Sequence, residues 1–253
     1  MGQLLTEANI HMNIIITSAV KNSPEAVRYC IESVQRQTYR WWKHIIVAVD
    51  RITFDAANRV SDDQTSVLRP IQKEIEVLDN LLPIWRNLRE DDIIVWLDGD
   101  DWLAVPYALE IILNHHKKGA LCTYGQFLWP DGSPGFASKA GSSPRRHEKW
   151  GATHLRTFRA GLVQKINDSD FREPDGTYIK HCADLAVMWA CLEMAPKHSV
   201  FIPNFLMVYN YDNSFENMNK NTEELQKREE AVERIRSLTP YKPVVDDNGR
   251  WIR

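Results

Sequence analysis

The stretch Ile93–Trp102, with the sequence IIVWLDGDDW, constrains the fold more than any other part of the chain. An apolar run with the composition of a buried strand ends abruptly in three carboxylates, and one glycine separates the first two. Carboxylates this close together repel one another, so the stretch is unstable without a positive partner. It therefore predicts a buried strand whose end lies beside positive charge.

Strands and helices alternate around this stretch, along the first 120 residues. Apolar runs predict buried strands, and apolar residues at helical spacing predict the helices between them. The predicted strands lie at residues 13–20, 44–50, 75–80 and 93–97, and the predicted helices at residues 22–37, 81–88 and 105–119. Such alternation is typical of a mainly parallel sheet, whose ligands bind beyond the carboxyl ends of the strands. Thr17, Asp50 and Asp98 lie at or near three strand ends and are expected at that edge.

The second half of the chain has a different pattern. A Gly-, Ser- and Pro-rich segment at residues 130–151 is long for a compact domain and predicts a functional loop. Around it, strands are predicted at residues 121–129 and 205–215, a strand followed by a helix at 153–166, and helices at 180–195 and 218–237. No internal repeat or linker interrupts the chain, so residues 1–253 are expected to form a single domain.

Composition and charge exclude several classes of protein. The net charge is only −3, which argues against a nucleic-acid or membrane-surface partner. No apolar run approaches the roughly 18 residues of a spanning helix, and the N-terminal segment lacks the pattern of a signal peptide. A soluble, cytoplasmic protein is therefore expected. The four cysteines form no CxxC pair, so free thiols are predicted in place of a zinc site.

The carboxylates after the strand suggest a metal site. If the strand continued through Asp98 and Asp100, both side chains would lie on one face about 7 Å apart, and Gly99 would let the chain turn there. Oxygen ligands favour Mg²⁺ or Mn²⁺, which commonly bridges to substrate phosphates. The alternative is a solvated turn or a cap for the next helix.

Several segments together resemble family 2 glycosyltransferases. Ser33, Gln37, Thr38, Tyr39 and Asp50 follow one another as in the opening of that family. The segment VWLDGDDWLAVPYALE resembles the family's DxD segment, HCADLAVMW its later acidic helix start, and YNYDNS its C-terminal Tyr…Ser segment. The resemblance covers residues 13–215.

The resemblance implies a GT-A fold, which is an α/β domain with a Rossmann-like mixed central sheet flanked by helices. It also implies inverting, metal-dependent transfer of one sugar from a nucleotide-diphosphate sugar, with a UDP-sugar as best guess, to a hydroxyl of a glycan or other acceptor. Residues 13–120 would bind the nucleotide-sugar, residues 121–215 the acceptor, and residues 216–253 would form a helical tail. The implied site residues are Thr17 and Asp50 in the nucleoside pocket, Asp79 near the base, Asp98 on the ribose or metal, Asp100 on the metal and Asp184 as general base.

The chain departs from the family pattern at several positions. Arg51 replaces a frequent second Asp, and Asp184 lacks the usual neighbouring Glu. Asp212 stands where many members have a metal-binding His, so it is predicted as a third ligand, with His154 as a competing candidate. The QxxRW motif of processive synthases is missing, which favours single-sugar transfer.

Basic residues concentrate between Lys139 and Arg156. They are expected to grip a diphosphate or an anionic acceptor, and the alternative is a solvated loop. The segment carries Lys139, Arg145, Arg146, Lys149 and Arg156 against Glu148. Trp102 and Trp150 are candidates for stacking on sugar or for core packing.

Two other functions stay open at this point. One is a different Mg²⁺-dependent phosphate enzyme, such as a nucleotidyltransferase or phosphohydrolase. It would need a Gly-rich phosphate loop or a nucleophilic Asp near the first strand, and the chain has neither there. The other is a non-catalytic protein that binds a nucleotide-sugar.

Overall fold

The computed structural model describes residues 12–70, 76–140, 146, 150–210 and 222–252. The strands are β1 (Ile14–Val20), β2 (Trp42–Ala48), β3 (Thr65–Leu68), β4 (Ile93–Trp96), β5 (Trp102–Leu103), β6 (Cys122–Leu128), β7 (Arg156–Arg159) and β8 (Ser199–Val208). The α-helices are α1 (Ala26–Gln35), α2 (Arg51–Val60), α3 (Val77–Arg86), α4 (Ala108–Lys117), α5 (Ala160–Gln164), α6 (Ala183–Met194) and α7 (Thr222–Ser237). Short 3₁₀ helices span Asp168–Phe171 and Pro196–His198.

All eight strands form one mixed sheet in the order β3-β2-β1-β4-β7-β6-β8-β5. The strands β3, β2, β1 and β4 are parallel, as the alternating sequence predicts. β7 is antiparallel to both β4 and β6. Because it runs the other way, the first residue of β7 lies at the edge where β4 ends. The sheet joins both halves of the chain, so the fold is the single mixed α/β domain that was predicted.

Apolar side chains cover both faces of this sheet. On one face, Trp85 of α3 packs edge-on against Trp96 and Phe158, with ring centroids 5.1 and 5.4 Å apart. On the other face, α4 packs against β6 and β8, within a cluster that also includes residues of β1 and β4. The structure buries every residue of α6 except Asp184. The helix is therefore a rigid support for that carboxylate.

The prediction of a strand at residues 75–80 is wrong. From Val77 onward this segment is the first turn of α3, and the backbone N–H of Glu76 donates to Asp79 at 2.9 Å. The buried residues Leu78, Leu81, Leu82 and Trp85 recur at helical spacing, which identifies the helix. The third parallel strand is instead β3. With only four residues, two of them polar, it is too short and too polar to be recognised from the sequence.

The structure also bears on the expectations for the cysteines and for membrane-spanning helices. The four cysteines are free thiols, and three of them are buried. Among the helices of the described residues, none combines the length and the apolar run that crossing a bilayer requires.

Candidate active site

The site is built where β4 and β7 meet. Trp96, the last residue of β4, is paired with Arg156, the first residue of β7. Asp98 follows two residues after β4, and Asp184 lies in the first turn of α6. The antiparallel direction of β7 therefore brings a cation to the end of the strand that carries the carboxylates.

Arg156 joins two carboxylates that are 86 residues apart in the sequence (184 − 98). One guanidinium nitrogen lies 2.8 Å from Oδ2 of Asp98, and another lies 2.8 Å from Oδ2 of Asp184. The Arg156 side chain is 2% exposed, whereas the two carboxylates are 29% and 27% exposed. Its guanidinium also lies over the ring of Trp96, 4.6 Å from the centroid. Arg156 is thus a fixed cation beneath two carboxylates that a ligand can reach.

The carboxylates after β4 differ in charge state. Burial alone would raise the pKa of Asp98, but Arg156 and His154 more than offset it and lower the pKa to about 2. Burial and the neighbouring Asp98 raise the pKa of Asp100 to about 6. Burial, Asp100 and Asp98 raise the pKa of Asp101 well above its usual range. Arg156 therefore compensates only part of the repulsion between these carboxylates. An additional cation would stabilise Asp98, Asp100 and Asp101 together.

Asp98, Asp101 and His154 form a possible metal site. Their ligand atoms all lie within 4.8 Å of one another. Oδ1 of Asp101 accepts a hydrogen bond from the backbone N–H of Asn210 at 2.8 Å, while its buried Oδ2 has no hydrogen-bond partner among the described residues. Two carboxylates and an imidazole are suitable ligands for a divalent ion. Since metal–ligand distances are about 2.1 Å, the three ligand atoms would need to move only slightly closer together to coordinate one ion. The residues present therefore fit Mn²⁺ or Mg²⁺.

His154 is held in the orientation that such a site requires. Its ring stacks on Tyr209 at 4.8 Å between centroids, and its Nε2 lies 3.5 Å from Oδ2 of Asp98. Burial and Arg156 lower the pKa of His154, so the ring is neutral at pH 7, which is the form that ligates metals. Of the two sequence candidates for a third ligand, His154 is in the site, and Asp212 lies outside the described residues. Asp100 lies beside the group but is not a member of it.

Gly99 lies in a turn, as the sequence suggested, but glycine is needed there for a different reason. The chain does turn after Asp98, since the N–H of Asp101 donates to the Asp98 carbonyl at 3.0 Å. A Cβ at position 99, however, would lie 2.6 Å from Cβ of Val20. Glycine is required because the turn presses against the end of β1, and this contact fixes where the carboxylates stand.

Three predicted nucleotide-binding residues hold structural positions. Thr17 is fully buried, and its hydroxyl accepts a hydrogen bond from the indole N–H of Trp85 at 2.9 Å. Asp50 caps α2 through the Thr53 N–H at 2.9 Å and also accepts from the Asn22 N–H at 2.6 Å. Burial would raise the pKa of Asp50, but these backbone donors lower it. Asp79 accepts from the Glu76 N–H within the first turn of α3. The structure therefore joins Asp98, Arg156 and Asp184 directly but not these three.

The basic loop does not act as one unit. Arg146 points into the protein, where it binds both carboxylate oxygens of Glu193 at 2.7 and 2.8 Å and the Ile235 carbonyl at 2.8 Å. Arg145 and Lys149 lie outside the described residues. Trp150 packs edge-on against Trp189 in the core cluster, and Trp102 lies beside Tyr29. Arg146 is thus structural, and only Arg156 of the described loop arginines reaches the carboxylates.

The sequence interpretation left Asp101 unassigned and did not single out Tyr209. A third acid directly after a DxD motif was the available signal for Asp101. Tyr209 belongs to the YNYDNS segment of the family resemblance, but no role was assigned to it, because its position beside His154 depends on β8 lying two strands from β7.

Comparisons with known proteins identify the fold. A scan against protein-family models found no match, and a search of the curated proteins found none. Among solved structures, the 1-349 segment of S. aureus TarS in complex with UDP-GlcNAc matches with a TM-score of 0.61 and 13% identity, over 90% of this chain and 74% of that one. The mannosyltransferase PcManGT from Pyrobaculum calidifontis, in complex with GDP-Man and Mn²⁺, matches with a TM-score of 0.55 and 12% identity, over 88% and 68%. At these identities the likeness shows the fold, a mixed α/β domain similar to glycosyltransferase structures.

Proposed function

We propose that this chain is an inverting, metal-dependent glycosyltransferase that moves one sugar from a nucleotide-diphosphate sugar to an acceptor hydroxyl. A UDP-sugar is the proposed donor, and a glycan is the first candidate acceptor. The observation that carries the proposal is the bridge through Arg156, which connects the carboxylate at the end of β4 with the carboxylate that begins α6. A metal-dependent transferase needs a carboxylate that binds the metal ion beside the donor and a base beside the acceptor. Here the buried side chain of Arg156 fixes the distance between Asp98 and Asp184.

The proposed reaction assigns one task to each group. Asp184 accepts the proton of the acceptor hydroxyl while the oxygen attacks the anomeric carbon from the face opposite the leaving group. The new glycosidic bond forms as the bond to the phosphate breaks, and the nucleoside diphosphate leaves with the electron pair, so the configuration inverts. Arg156 orients Asp184 and remains in place, because it is buried and stacked on Trp96.

Asp98, Asp101 and His154 are the proposed metal ligands. A bound divalent ion would neutralise the charge that develops on the diphosphate. An imidazole ligand suits Mn²⁺ better than Mg²⁺, which prefers an all-oxygen shell. The structures of a mannosyltransferase with GDP-Man and Mn²⁺, and of TarS with UDP-GlcNAc, support the assignment of donor class.

Calorimetry of UDP, GDP and dTDP, each with and without Mn²⁺, tests the proposal. We expect one nucleotide to bind with Mn²⁺ at micromolar affinity and at least about tenfold more weakly without it. A His154→Ala variant should lose that metal dependence, while His198→Ala, outside the site, should keep it. If none of the three nucleotides binds, the donor site does not exist and the proposal fails.

The cytoplasmic location and the roles of Thr17, Asp50, Asp79 and Asp100 stay predictions. The same titration in Asp50→Ala tests one of them, since a nucleoside contact would weaken nucleotide binding. Asp50 also caps α2, so the free energy of unfolding of this variant must be measured alongside.

A further inference from the structure

A cavity of about 710 Å³ is lined by none of the proposed metal ligands and by neither Arg156 nor Asp184, although its lining includes Asp79, which the sequence placed near the nucleobase. Three parts of the chain form its walls: the start of α3, the segment 172–181 that leads into α6, and the face of α7 that carries Ala231. The lining includes Glu76, Asp79, Tyr178, Lys180, His181 and Ala231. A volume in the range of about 300–1,000 Å³ is typical of small-molecule sites.

The cavity lies beside the start of the helix that carries the proposed base. Lys180 and His181 line it, and they precede Asp184 by four and three positions in the sequence. Cys182, between them and α6, contacts the backbone of α7 through its sulfur, 3.9 Å from the Arg228 carbonyl oxygen. The segment that holds the base is therefore also a wall of the cavity.

The charges of the cavity walls make a strong anion a poor ligand. Four cationic and four anionic side chains line the cavity, so its formal charge is balanced: Arg172, Lys180, Lys227 and Arg234 against Glu76, Asp79, Glu173 and Glu230. Most of the cations already have anionic partners, as Arg234 does in Glu173 at 2.9 Å and Arg172 does in Asp168 at 2.5 Å. A diphosphate or another strong anion would have to displace these partners, so the nucleotide is a poor fit here.

The same walls suit a ligand that both donates and accepts hydrogen bonds. Hydroxyl groups can accept from ammonium and guanidinium groups and donate to carboxylates. Lys180 forms no hydrogen bond or ion pair within the described part of the chain, although its charge partly offsets the burial that raises the pKa of Glu76. Its three donors are therefore open to a ligand. Tyr178 and Pro174 add apolar surface. The Arg172 guanidinium covers one face of the Tyr178 ring, 4.0 Å from the centroid, so packing against the C–H face of a sugar ring would use the opposite face.

We propose that this cavity is the acceptor subsite and that its ligand is a neutral, hydroxyl-rich glycan. This inference rests on the proposed function. It adds that α7 is part of the substrate-binding surface and not only a helical tail. The glycan would extend from the cavity past the first turn of α6, with its terminal hydroxyl at Asp184.

A glycan array with neutral, sulfated and phosphorylated oligosaccharides tests the inference. We expect the wild-type protein to bind one or more neutral glycans. Ala231→Phe, which places a ring in the cavity, and Lys180→Ala, which changes only an exposed side chain, should each weaken that binding by at least about tenfold. Lys117→Ala, an exposed lysine at the end of α4, should have no effect.

Nucleotide affinity in Mn²⁺ is measured for the same variants by calorimetry, and it should stay within about twofold of wild type. Binding of no neutral glycan, binding of anionic glycans only, or unchanged glycan binding by Lys180→Ala would overturn the inference. Variants that weaken nucleotide binding instead would make the cavity part of the donor site. Failure of every nucleotide to bind the wild-type protein overturns the proposed function itself, so the two failures are distinguishable.

Discussion

The buried ion pair between Arg146 and Glu193 provides a quantitative test of the structure. Arg146 makes three hydrogen bonds there, two to Glu193 and one to the Ile235 carbonyl, and the two side chains are only 3% and 6% exposed. In Arg146→Met, the Glu193 carboxylate would stay buried with the Tyr241 N–H, at 2.9 Å, as its remaining donor in the described structure. Removal of one partner from such a pair costs about 3–5 kcal/mol. We expect about 4 kcal/mol for this variant and a similar loss for Glu193→Leu.

The double variant Arg146→Met/Glu193→Leu should lose much less than the sum of the two single losses. It leaves no buried charge, and the Ile235 carbonyl keeps the Leu238 N–H, at 3.3 Å, as a donor. The remaining cost is an unpaired Tyr241 N–H, on the order of 1–3 kcal/mol before relaxation. The double variant should therefore be more stable than either single variant by about 1–2 kcal/mol.

Urea unfolding followed by circular dichroism measures these differences. With an m-value of roughly 2.5 kcal/mol/M, a loss of 4 kcal/mol lowers the midpoint by about 1.6 M. A loss below about 1 kcal/mol in Arg146→Met would show that the pair is not formed, and additive losses in the double variant would show that the two side chains are not coupled. If a folded Arg146→Met variant binds the nucleotide more weakly, the sequence-based expectation that Arg146 binds a ligand would be supported instead.

Further predictions concern acid stability, the turn at Gly99 and the bridge through Arg156. Burial lowers the pKa of His44 and of His116 from 6.5 to about 3, so both rings are neutral in the folded protein. The stability that each neutral ring contributes is complete above pH 6.5 and is lost as the pH falls toward 3, at about 1.4 kcal/mol per pH unit. Asp100, whose pKa is raised to about 6, acts in the opposite direction, so the two proteins are compared with each other. The loss of unfolding free energy between pH 7 and pH 5 should be smaller in His44→Gln than in the wild type by about 2 kcal/mol. Equal differences in both proteins would contradict this assignment. Gly99→Ala should cost about 1–3 kcal/mol in urea unfolding because of its clash with β1, and a neutral effect would disprove the close contact. Arg156→Met should lower the rate of donor turnover by at least about 100-fold, and a rate near wild type would remove the bridge from the mechanism.

The sequence predicted the parts of the site that depend on local patterns. The apolar run of β4 followed by acids, the acid at the start of α6 and the parallel strands β1, β2 and β4 are confirmed. These features succeed because residues close in sequence decide them: strand burial, helix periodicity and the turn after β4.

The errors arose where residues outside the local segment decide the structure. Residues 75–80 look like a short apolar strand in isolation, and the helical periodicity shows only when Leu81, Leu82 and Trp85 are included. The positive partner that the acids require comes from residue 156, because β7 inserts antiparallel between β4 and β6. No local pattern at Arg146 distinguished it from Arg156, since their different partners, Glu193 and Asp98, are set by tertiary packing.

Asp184→Asn tests the central claim, which is that the carboxylate held by Arg156 is the general base of a sugar transfer. The amide keeps the size of the side chain and can still accept a hydrogen bond from Arg156, but it cannot take the proton of the acceptor. The measurement is the single-turnover release of nucleotide from the sugar donor whose nucleotide binds in the calorimetry, with wild-type and variant protein in Mn²⁺. We expect a rate about 10²–10⁴-fold lower with an unchanged donor affinity. Release at the wild-type rate would show that Asp184 is not the general base.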